Sequence, residues 1–457
     1  MWFGLFILFI KYFKTEKIWD IFLISLAWPV FEFLRTYFYS WYPPILGKGD
    51  LIGAHMAFGV FGYSLADYYS LRQWAAIGGD YFLSFVLILI NASIFYLLAL
   101  CVKNRKLIRQ PVDENFKSFI KKFYFKFIEV LFIIVVILLI SILGGKYLNS
   151  LYFYPDGSIN VAAIQLNFPI GVWSSFDYPN QVYDKIKSEL NSAFSRKPTV
   201  DLAVIPEGGD FTQFSGANLK SIQNFLGINH YRVVVDGSYE QNQIKNYLAI
   251  FDNKDGFLGD YAKRFLMPFG EYPTALIKFP ASIFYPDWLK DFSYRWYLPG
   301  DKVGVFQTQF GKVGTLACSE IISPELSRET ANAGAQLITY SASDSIFRGS
   351  GELHAQNLAM AQIRATETRR AIIYASNGEK SFIISPTGNV LWAASNLDFQ
   401  NGYAAVPLNS AFSLYDRFGN WFIYVSIFIL MIFIVFLKAR FIFGALIGKI
   451  KQWMSKK

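Results

Sequence analysis

Long apolar stretches lie toward both ends of the chain and predict helices that cross a membrane. A spanning helix needs about 20 predominantly apolar residues. Four stretches approach or reach that length: 18–38, 81–102, 127–145 and 418–437. A shorter apolar run at 2–13 is not interpreted as a secretory signal peptide, because no small-residue cleavage site follows it.

The first of these stretches is apolar apart from Asp20 near its start and two further ionisable residues, Glu32 and Arg35. Residues three apart share one face of a helix, and charged groups inside a membrane are costly unless they are paired. The two side chains are therefore predicted to form a structural pair. A contact with substrate is the alternative.

Basic residues flank the apolar stretches and predict their orientation. The loop 103–126 has eight Lys and Arg residues against two acids, and the tail 438–457 has six and no acid. Cytoplasmic flanks of membrane helices are rich in Lys and Arg, so both segments are predicted to be cytoplasmic and residues 146–417 to lie outside. We attribute the net charge of +9 to these flanks and expect no nucleic-acid partner.

The region between the apolar ends has a different pattern, in which short β-rich runs alternate with longer polar ones. Ten strands are predicted, at 159–166, 200–206, 231–238, 246–251, 303–308, 312–317, 335–341, 370–376, 381–385 and 390–393. Four helices are predicted, at 178–195, 216–227, 324–333 and 352–370. This alternation of strands and helices is typical of a layered α/β domain.

The composition supports a membrane protein. Hydrophobic residues make up 53% of the chain and aromatic residues 19%, with a mean hydropathy of +0.28, which is too apolar for an ordinary soluble enzyme. The three histidines are scattered, and no His/Cys spacing suits zinc. No G-x-S-x-G elbow is present. We predict neither a metal nor a cofactor.

Three residues next to strand-like runs are candidates for nucleophilic chemistry: Glu207, Lys263 and Cys318. A cysteine thiol with its usual pKa is mostly protonated at neutral pH, and a nearby ammonium group favours the thiolate. A nearby carboxylate can accept the thiol proton. The pattern therefore suggests an activated thiolate, whereas Cys318 taken alone is more typical of a small core residue.

Five segments carry a resemblance to a known family. They are 28–35, 161–167, 261–272, 318–326 and 356–367. Glu207, Lys263 and Cys318 occur in the order of the catalytic triad of the nitrilase superfamily, and the five segments together resemble apolipoprotein N-acyltransferase. The resemblance implies Glu207 as general base, Lys263 as oxyanion stabiliser and Cys318 as acylated nucleophile. It also implies that Glu271 and Glu320 support the triad.

The resemblance further implies a membrane α-helical bundle combined with a nitrilase-like α-β-β-α sandwich. Three domains are expected: N-terminal transmembrane helices at 1–147, a nitrilase-like (carbon-nitrogen hydrolase) domain at 148–415, and a C-terminal transmembrane helix with a basic cytoplasmic tail at 416–457. The implied protein is a multi-pass enzyme of the bacterial inner membrane with its catalytic domain on the extracytoplasmic side. It would transfer an acyl chain from a phospholipid, through a Cys318 thioester, to the N-terminal amine of a diacylglyceryl-cysteine lipoprotein.

The chain also departs from the family pattern. The segment 341–347 lacks the usual tryptophan, Ser319 replaces an aromatic residue, and Asn357 replaces a histidine. The chain is also expected to be shortened at its N-terminus, without the family's first membrane helices. Two alternatives therefore remain open: a membrane-tethered nitrilase-type amidase or hydrolase, and a degenerate non-catalytic homologue that binds lipoprotein.

Overall fold

The computed structural model describes residues 1–15, 17–45, 56–103, 114–168, 178–196, 198–209, 211, 232–237, 245–267, 271, 275–288 and 297–436. It contains a group of apolar helices and a domain built on two β-sheets.

The apolar helices include two that are long and apolar enough to cross a membrane. They are Ala75–Leu100, within α4 (Ala75–Lys103), and Tyr124–Leu148, within α5 (Glu114–Tyr152). Because α5 begins at Glu114, the second half of the predicted basic loop is helical. The other helices of this group are α1 (Trp2–Phe13), α2 (Trp19–Ile45), the short α3 (Tyr69–Arg72) and a C-terminal helix at Trp421–Phe436.

Each sheet of the second domain has six strands. The first sheet has the order β12-β1-β2-β3-β4-β5 and the second the order β11-β10-β9-β8-β7-β6. The strands are β1 (Pro155–Gln165), β2 (Leu202–Glu207), β3 (Val233–Gly237), β4 (Tyr247–Asp252), β5 (Gly256–Ala262), β6 (Val305–Thr308), β7 (Gly311–Ala317), β8 (Leu337–Ser343), β9 (Ala371–Asn377), β10 (Phe382–Ile384), β11 (Val390–Ala393) and β12 (Gln400–Asn409). The central strands of each sheet are parallel and the outer ones antiparallel.

The two sheets pack face to face, because the side chains along each strand alternate between the two faces of its sheet and both faces are apolar. In β1, Val161 and Ala163 point into the core between the sheets, whereas Ala162 and Ile164 pack on the outer helix α6 (Tyr178–Phe194). This period of two is the expected geometry of a strand that is buried on both faces. The outer face of the second sheet is covered by α8 (Pro324–Asn332) and α9 (Gly351–Thr368).

The resulting layers are helix, sheet, sheet and helix, so the predicted α-β-β-α sandwich is confirmed. All ten predicted strands are present. Helices α6, α8 and α9 match the predictions within two residues at each end, whereas the predicted helix 216–227 lies outside the described residues. The remaining short helices are α7 (Ala275–Phe284) and α10 (Leu414–Phe418); the Trp421–Phe436 helix is α11.

Two strands were missed by the sequence prediction, β5 and β12. They are the two edges of the first sheet. β5 contains two glycines and an aspartate, and β12 contains Pro407. An edge strand needs hydrogen-bonding partners on one side only and tolerates such residues, so neither strand shows the apolar pattern of a central strand.

Candidate active site

The nucleophile candidate Cys318 lies in a strained turn at the end of β7. Its φ is +42°, a left-handed conformation that costs a non-glycine residue about 1–3 kcal/mol and persists only where the surroundings enforce it. Residues Cys318–Ile322 form a short 3-10 helix. The chain therefore turns immediately at Cys318, and Glu320 lies in this turn and not on a continuation of β7.

Glu320 holds this turn in place from within the protein. Its carboxylate accepts hydrogen bonds from the backbone N–H groups of Ala317 at 2.7 Å, Arg264 at 2.7 Å and Phe265 at 3.0 Å. The Tyr261 hydroxyl donates to the same carboxylate at 2.8 Å. Glu320 thus fastens the nucleophile turn to the segment around Lys263, and it is fully buried.

Lys263 follows β5 and is buried, with only 1% of the residue exposed. Its ammonium Nζ lies 2.8 Å from Glu271 Oε1. The second carboxylate oxygen of Glu271 accepts the Met267 N–H at 2.7 Å, which fixes the direction of the carboxylate. Lys263, the implied oxyanion stabiliser, and Glu271, an implied supporting residue, are therefore in direct contact.

Glu207 ends β2 and completes the cluster. Its Oε2 accepts the Ser343 N–H at 3.2 Å, and its Oε1 accepts a short hydrogen bond from Asn246. The Cys318 thiol lies within hydrogen-bonding reach of the Glu207 carboxylate, and Lys263 interacts with both groups through its charge. The structure thus brings together Glu207, Lys263 and Cys318 from three strand ends.

Burial changes the pKa of all three groups, and their charged neighbours change it further. It raises the pKa of Glu207, and the neighbouring Glu271 adds to the rise, while Lys263 and Asn246 oppose it. Burial lowers the pKa of Lys263, but the carboxylates of Glu271 and Glu207 outweigh that effect, so the net pKa is well above its ordinary value. Lys263 is therefore a permanent cation in this site.

The resting state of Cys318 differs from the expected thiolate. Burial raises its pKa well above the usual value, Glu207 raises it further, and the opposing effect of Lys263 is smaller. The thiol is therefore protonated at neutral pH, and a base must remove its proton during the reaction.

Asn246 is a site residue that the sequence interpretation missed. Its side chain bonds to Glu207, and its backbone carbonyl accepts the Lys263 N–H at 2.8 Å. The signal lies in the pairing of β4 with β5, where Tyr247 is opposite Ala262. One step outward along each strand places Asn246 opposite Lys263, but this pairing was hidden because β5 was not predicted.

The segment that departs from the family pattern is anchored by Asp344. Its Oδ2 accepts the hydroxyls of Tyr374 at 2.8 Å and Ser376 at 2.9 Å. Asn357, where the family has a histidine, donates to the Tyr374 hydroxyl at 3.3 Å, and the Ser319 hydroxyl donates to Phe265 O at 3.3 Å. The altered residues therefore contribute hydrogen bonds around the nucleophile.

Glu32 and Arg35 both bond to the backbone of residues 58–61. Glu32 Oε1 accepts the Phe61 N–H at 2.9 Å, and Arg35 Nη2 donates to the carbonyls of Phe58 and Gly59, each at 2.8 Å. Their structural role is therefore to fix this segment against α2, through backbone contacts in place of the predicted mutual pair.

Two family models match the chain, one over the sheet domain and one over the N-terminal helices. A carbon-nitrogen hydrolase model matches residues 160–413, which is more than half of the chain and contains the whole cluster. The chain belongs to the carbon-nitrogen hydrolase family. A second model, the apolipoprotein N-acyltransferase N-terminal domain, matches residues 1–93. Together they confirm the resemblance to the apolipoprotein N-acyltransferases within that family.

Curated relatives carry the same name. Apolipoprotein N-acyltransferase of Synechocystis sp. is 27% identical, and the match covers 77% of this chain and 64% of the relative. The Aquifex aeolicus enzyme is 27% identical over 81% of this chain and 75% of its own length. The Geobacter metallireducens enzyme is 26% identical over 80% and 67%. The chain thus spans about two thirds to three quarters of these relatives.

Solved structures of the same family are also similar to the chain. Saccharomyces cerevisiae Nit3, a nitrilase superfamily member, matches 55% of this chain and 91% of its own with a TM-score of 0.41 and 18% identity. A carbon-nitrogen hydrolase from Helicobacter pylori matches 58% and 94% with a TM-score of 0.42 and 16% identity.

Proposed function

We propose that the chain transfers an acyl group from a phospholipid to the N-terminal amine of a diacylglyceryl-cysteine lipoprotein, through a thioester on Cys318. The observation that carries the proposal is the cluster in which the Cys318 thiol reaches the Glu207 carboxylate and both groups interact with the charge of the buried Lys263, in a chain whose first 93 residues match the N-terminal domain of apolipoprotein N-acyltransferase. The relatives are apolipoprotein N-acyltransferases, and this activity supplies the acceptor class.

The first half-reaction would acylate Cys318. Glu207 accepts the thiol proton as Sγ attacks the ester carbonyl carbon of the phospholipid, forming a tetrahedral oxyanion. The Lys263 ammonium stabilises the oxyanion, because a positioned cation in a dry site acts strongly on developing charge. The carbon–oxygen bond then breaks, and the protonated Glu207 returns its proton to the departing alcohol of the lysophospholipid.

The second half-reaction would transfer the acyl group. The uncharged α-amine of the acceptor attacks the thioester carbonyl, Glu207 takes a proton from the attacking nitrogen, and Lys263 again faces the oxyanion. The carbon–sulfur bond breaks, the amide is formed, and the proton on Glu207 returns to the Cys318 sulfur. Atoms and charges balance without a cofactor, and each half-reaction uses the same three side chains.

Asn246 is expected to set the acid limit of the reaction. Glu207 works as a carboxylate, and its hydrogen bond from Asn246 lowers a pKa that burial has raised. Activity is therefore lost as pH falls through the pKa of Glu207, and Asn246→Leu should move this limb about one pH unit upward. Thioester formation measured across pH tests this shift, with Asn253→Leu at the far end of β4 as the control. An unmoved acid limb in Asn246→Leu would contradict the role of Asn246.

The basic loop and the catalytic domain are proposed to lie on opposite sides of the membrane. Two variants in a background without Cys101 and Cys318 test this: Asp255→Cys, at an exposed turn of the sheet domain, and Arg109→Cys in the basic loop. A membrane-impermeant maleimide added to intact spheroplasts should label the first and reach the second only after permeabilisation. The reverse labelling pattern would invert the orientation.

The proposed transfer is distinguished from hydrolysis by following a labelled acyl chain. With phospholipid alone we expect slow release of free fatty acid, because a thioester made for an amine acceptor must survive contact with water. A diacylglyceryl-cysteine peptide should accelerate turnover and take up the label, and Cys318→Ala is the control. Equal fatty-acid release with and without peptide, and an unlabelled peptide, would replace the transferase by a hydrolase.

A further inference from the structure

A buried ionic cluster joins the apolar helices to the catalytic domain. Arg364 of α9 is fully buried and donates from Nη2 to Asp80 Oδ2 at 3.0 Å and to the Tyr63 hydroxyl at 2.5 Å. Its Nη1 bonds to Glu367 at a short distance. A cation between two carboxylates fixes a geometry more than it adds stability, because burial of the ions opposes their attraction.

The same cluster determines where the long apolar helix starts. Gly79 interrupts α4 with a φ of +73°, and a Cβ at this glycine would lie 2.6 Å from the Tyr415 ring. The helix that continues from Asp80 is capped by Glu367, whose Oε1 accepts the Asp80 N–H at 2.8 Å. An acceptor at this position satisfies one of the free N–H groups of a helix start and complements the helix dipole.

Arg364 also bonds to the nucleophile turn. Its Nε donates to the carbonyl of Ile321 at 3.4 Å, and Ile321 belongs to the 3-10 helix that begins at Cys318. Glu320 fastens this turn to the Lys263 segment, whereas Arg364 fastens it to the start of α4. The strained Cys318 backbone thus has anchors on two sides.

We propose that Arg364 is a positioning residue, which holds the Cys318 turn at a fixed place relative to the first turn of the α4 segment that continues from Asp80. This inference rests on the proposed function for its purpose, since a nucleophile that attacks a lipid ester must be held at a set depth next to the bilayer. Arg364 acts through the Ile321 carbonyl and Asp80, and its role is distinct from the proton transfers assigned to Glu207.

The test compares Arg364→Lys and Asp80→Asn in the full chain, carrying Cys101→Ser, in phospholipid vesicles. The pH midpoint of Cys318 alkylation by iodoacetamide should fall by about half a unit or more in Arg364→Lys, because a displaced turn carries the thiol away from the burial and the Glu207 carboxylate that raise its pKa, and these outweigh the effect of Lys263. At saturating phospholipid, kcat for thioester formation should fall about tenfold while KM stays within about twofold.

The two variants should also be coupled. Asp80→Asn should change the alkylation midpoint and kcat in the same direction as Arg364→Lys. It should add little in the Arg364→Lys background, because both substitutions break the same ion pair between Arg364 and Asp80. Arg370→Lys is the matched control, since Arg370 is equally buried but bonds to the carbonyls of Ala335, Thr368 and Ala411. The control should lower the melting temperature through the loss of these bonds, but the alkylation midpoint should not move.

Three results would overturn the proposal: an unmoved alkylation midpoint in Arg364→Lys, additive effects of the two variants, or a kcat loss that follows the melting temperature as in Arg370→Lys. If Arg364→Lys does not fold, the alkylation midpoint of Asp80→Asn is compared with that of Arg370→Lys. A shift in Asp80→Asn alone supports the proposal, and no shift overturns it. Alkylation needs no acyl donor. A parent protein that forms no thioester would therefore refute the proposed function and leave the positioning test intact.

Discussion

Cys318→Ala is expected to abolish acyl transfer, with a loss of about four orders of magnitude or more. No other group in the described site replaces the sulfur that carries the acyl chain. Glu207 transfers the proton, Lys263 stabilises the oxyanion, and Glu271 pairs with Lys263. Both Cys and Ala have a Cβ, so the strain at φ +42° is unchanged and the protein should still fold. The rate of thioester formation from labelled phospholipid measures the effect.

Cys318→Ser sharpens this prediction. The hydroxyl is similar in shape but much harder to ionise than the thiol, so the serine variant should be nearly as inactive as alanine. Cys101→Ser is the control and should retain full activity. Appreciable transfer by Cys318→Ala would refute the covalent route.

Lys263→Met is expected to have the second-largest effect, lowering both half-reactions by about 10²–10³-fold, as for the loss of a principal oxyanion stabiliser. It also leaves the Glu271 carboxylate without its cation at 2.8 Å. Removing one partner of a buried pair costs about 3–5 kcal/mol of folding stability, so the variant should also melt at a lower temperature.

A second substitution separates the two consequences of Lys263→Met. Glu271→Gln in the same chain removes the uncompensated charge and should restore much of the melting temperature, but it provides no cation for the oxyanion. Activity should therefore remain low in the double variant. Recovery of activity together with stability would mean that Lys263 acts through folding alone.

The central strands were predictable from sequence because they are buried on both faces. Runs such as 202–206 are apolar throughout, and such a run of four to eight residues favours a buried strand. β5 and β12 lie at the edges of one sheet and lack that pattern. The pairing of β12 with β1 joins residues 155–165 to 400–409, a separation that no local pattern reveals.

The candidate site was predictable as far as its residues are adjacent to strands. Glu207 and Cys318 each follow a predicted strand, whereas Lys263 follows β5 and was identified through the family resemblance of 261–272. The structure brings the three residues together. The sequence did not reveal Asn246, whose position depends on the β4–β5 pairing. It also suggested a resting thiolate, because burial and the nearby Glu207 carboxylate, which raise the Cys318 pKa, are properties of the folded chain.

The distant contacts of Arg364 were likewise beyond sequence reasoning. The residue lies in a helix that was predicted correctly, but its partners Asp80 and Tyr63 are 284 and 301 residues away along the chain. A charged residue in an amphipathic helix is usually solvated. Only the packing of α9 against the start of α4 shows that this arginine is buried and bonded.

The most direct test of the central claim is the mass of the intact 52.3 kDa chain after mixing with a phospholipid of defined acyl length. The account predicts a mass increase equal to one acyl group minus a hydrogen, located on the peptide that contains Cys318. A diacylglyceryl-cysteine peptide added afterwards should remove this mass and gain the acyl group in an amide. A chain that acylates the peptide without ever carrying the acyl group on Cys318 would contradict the account.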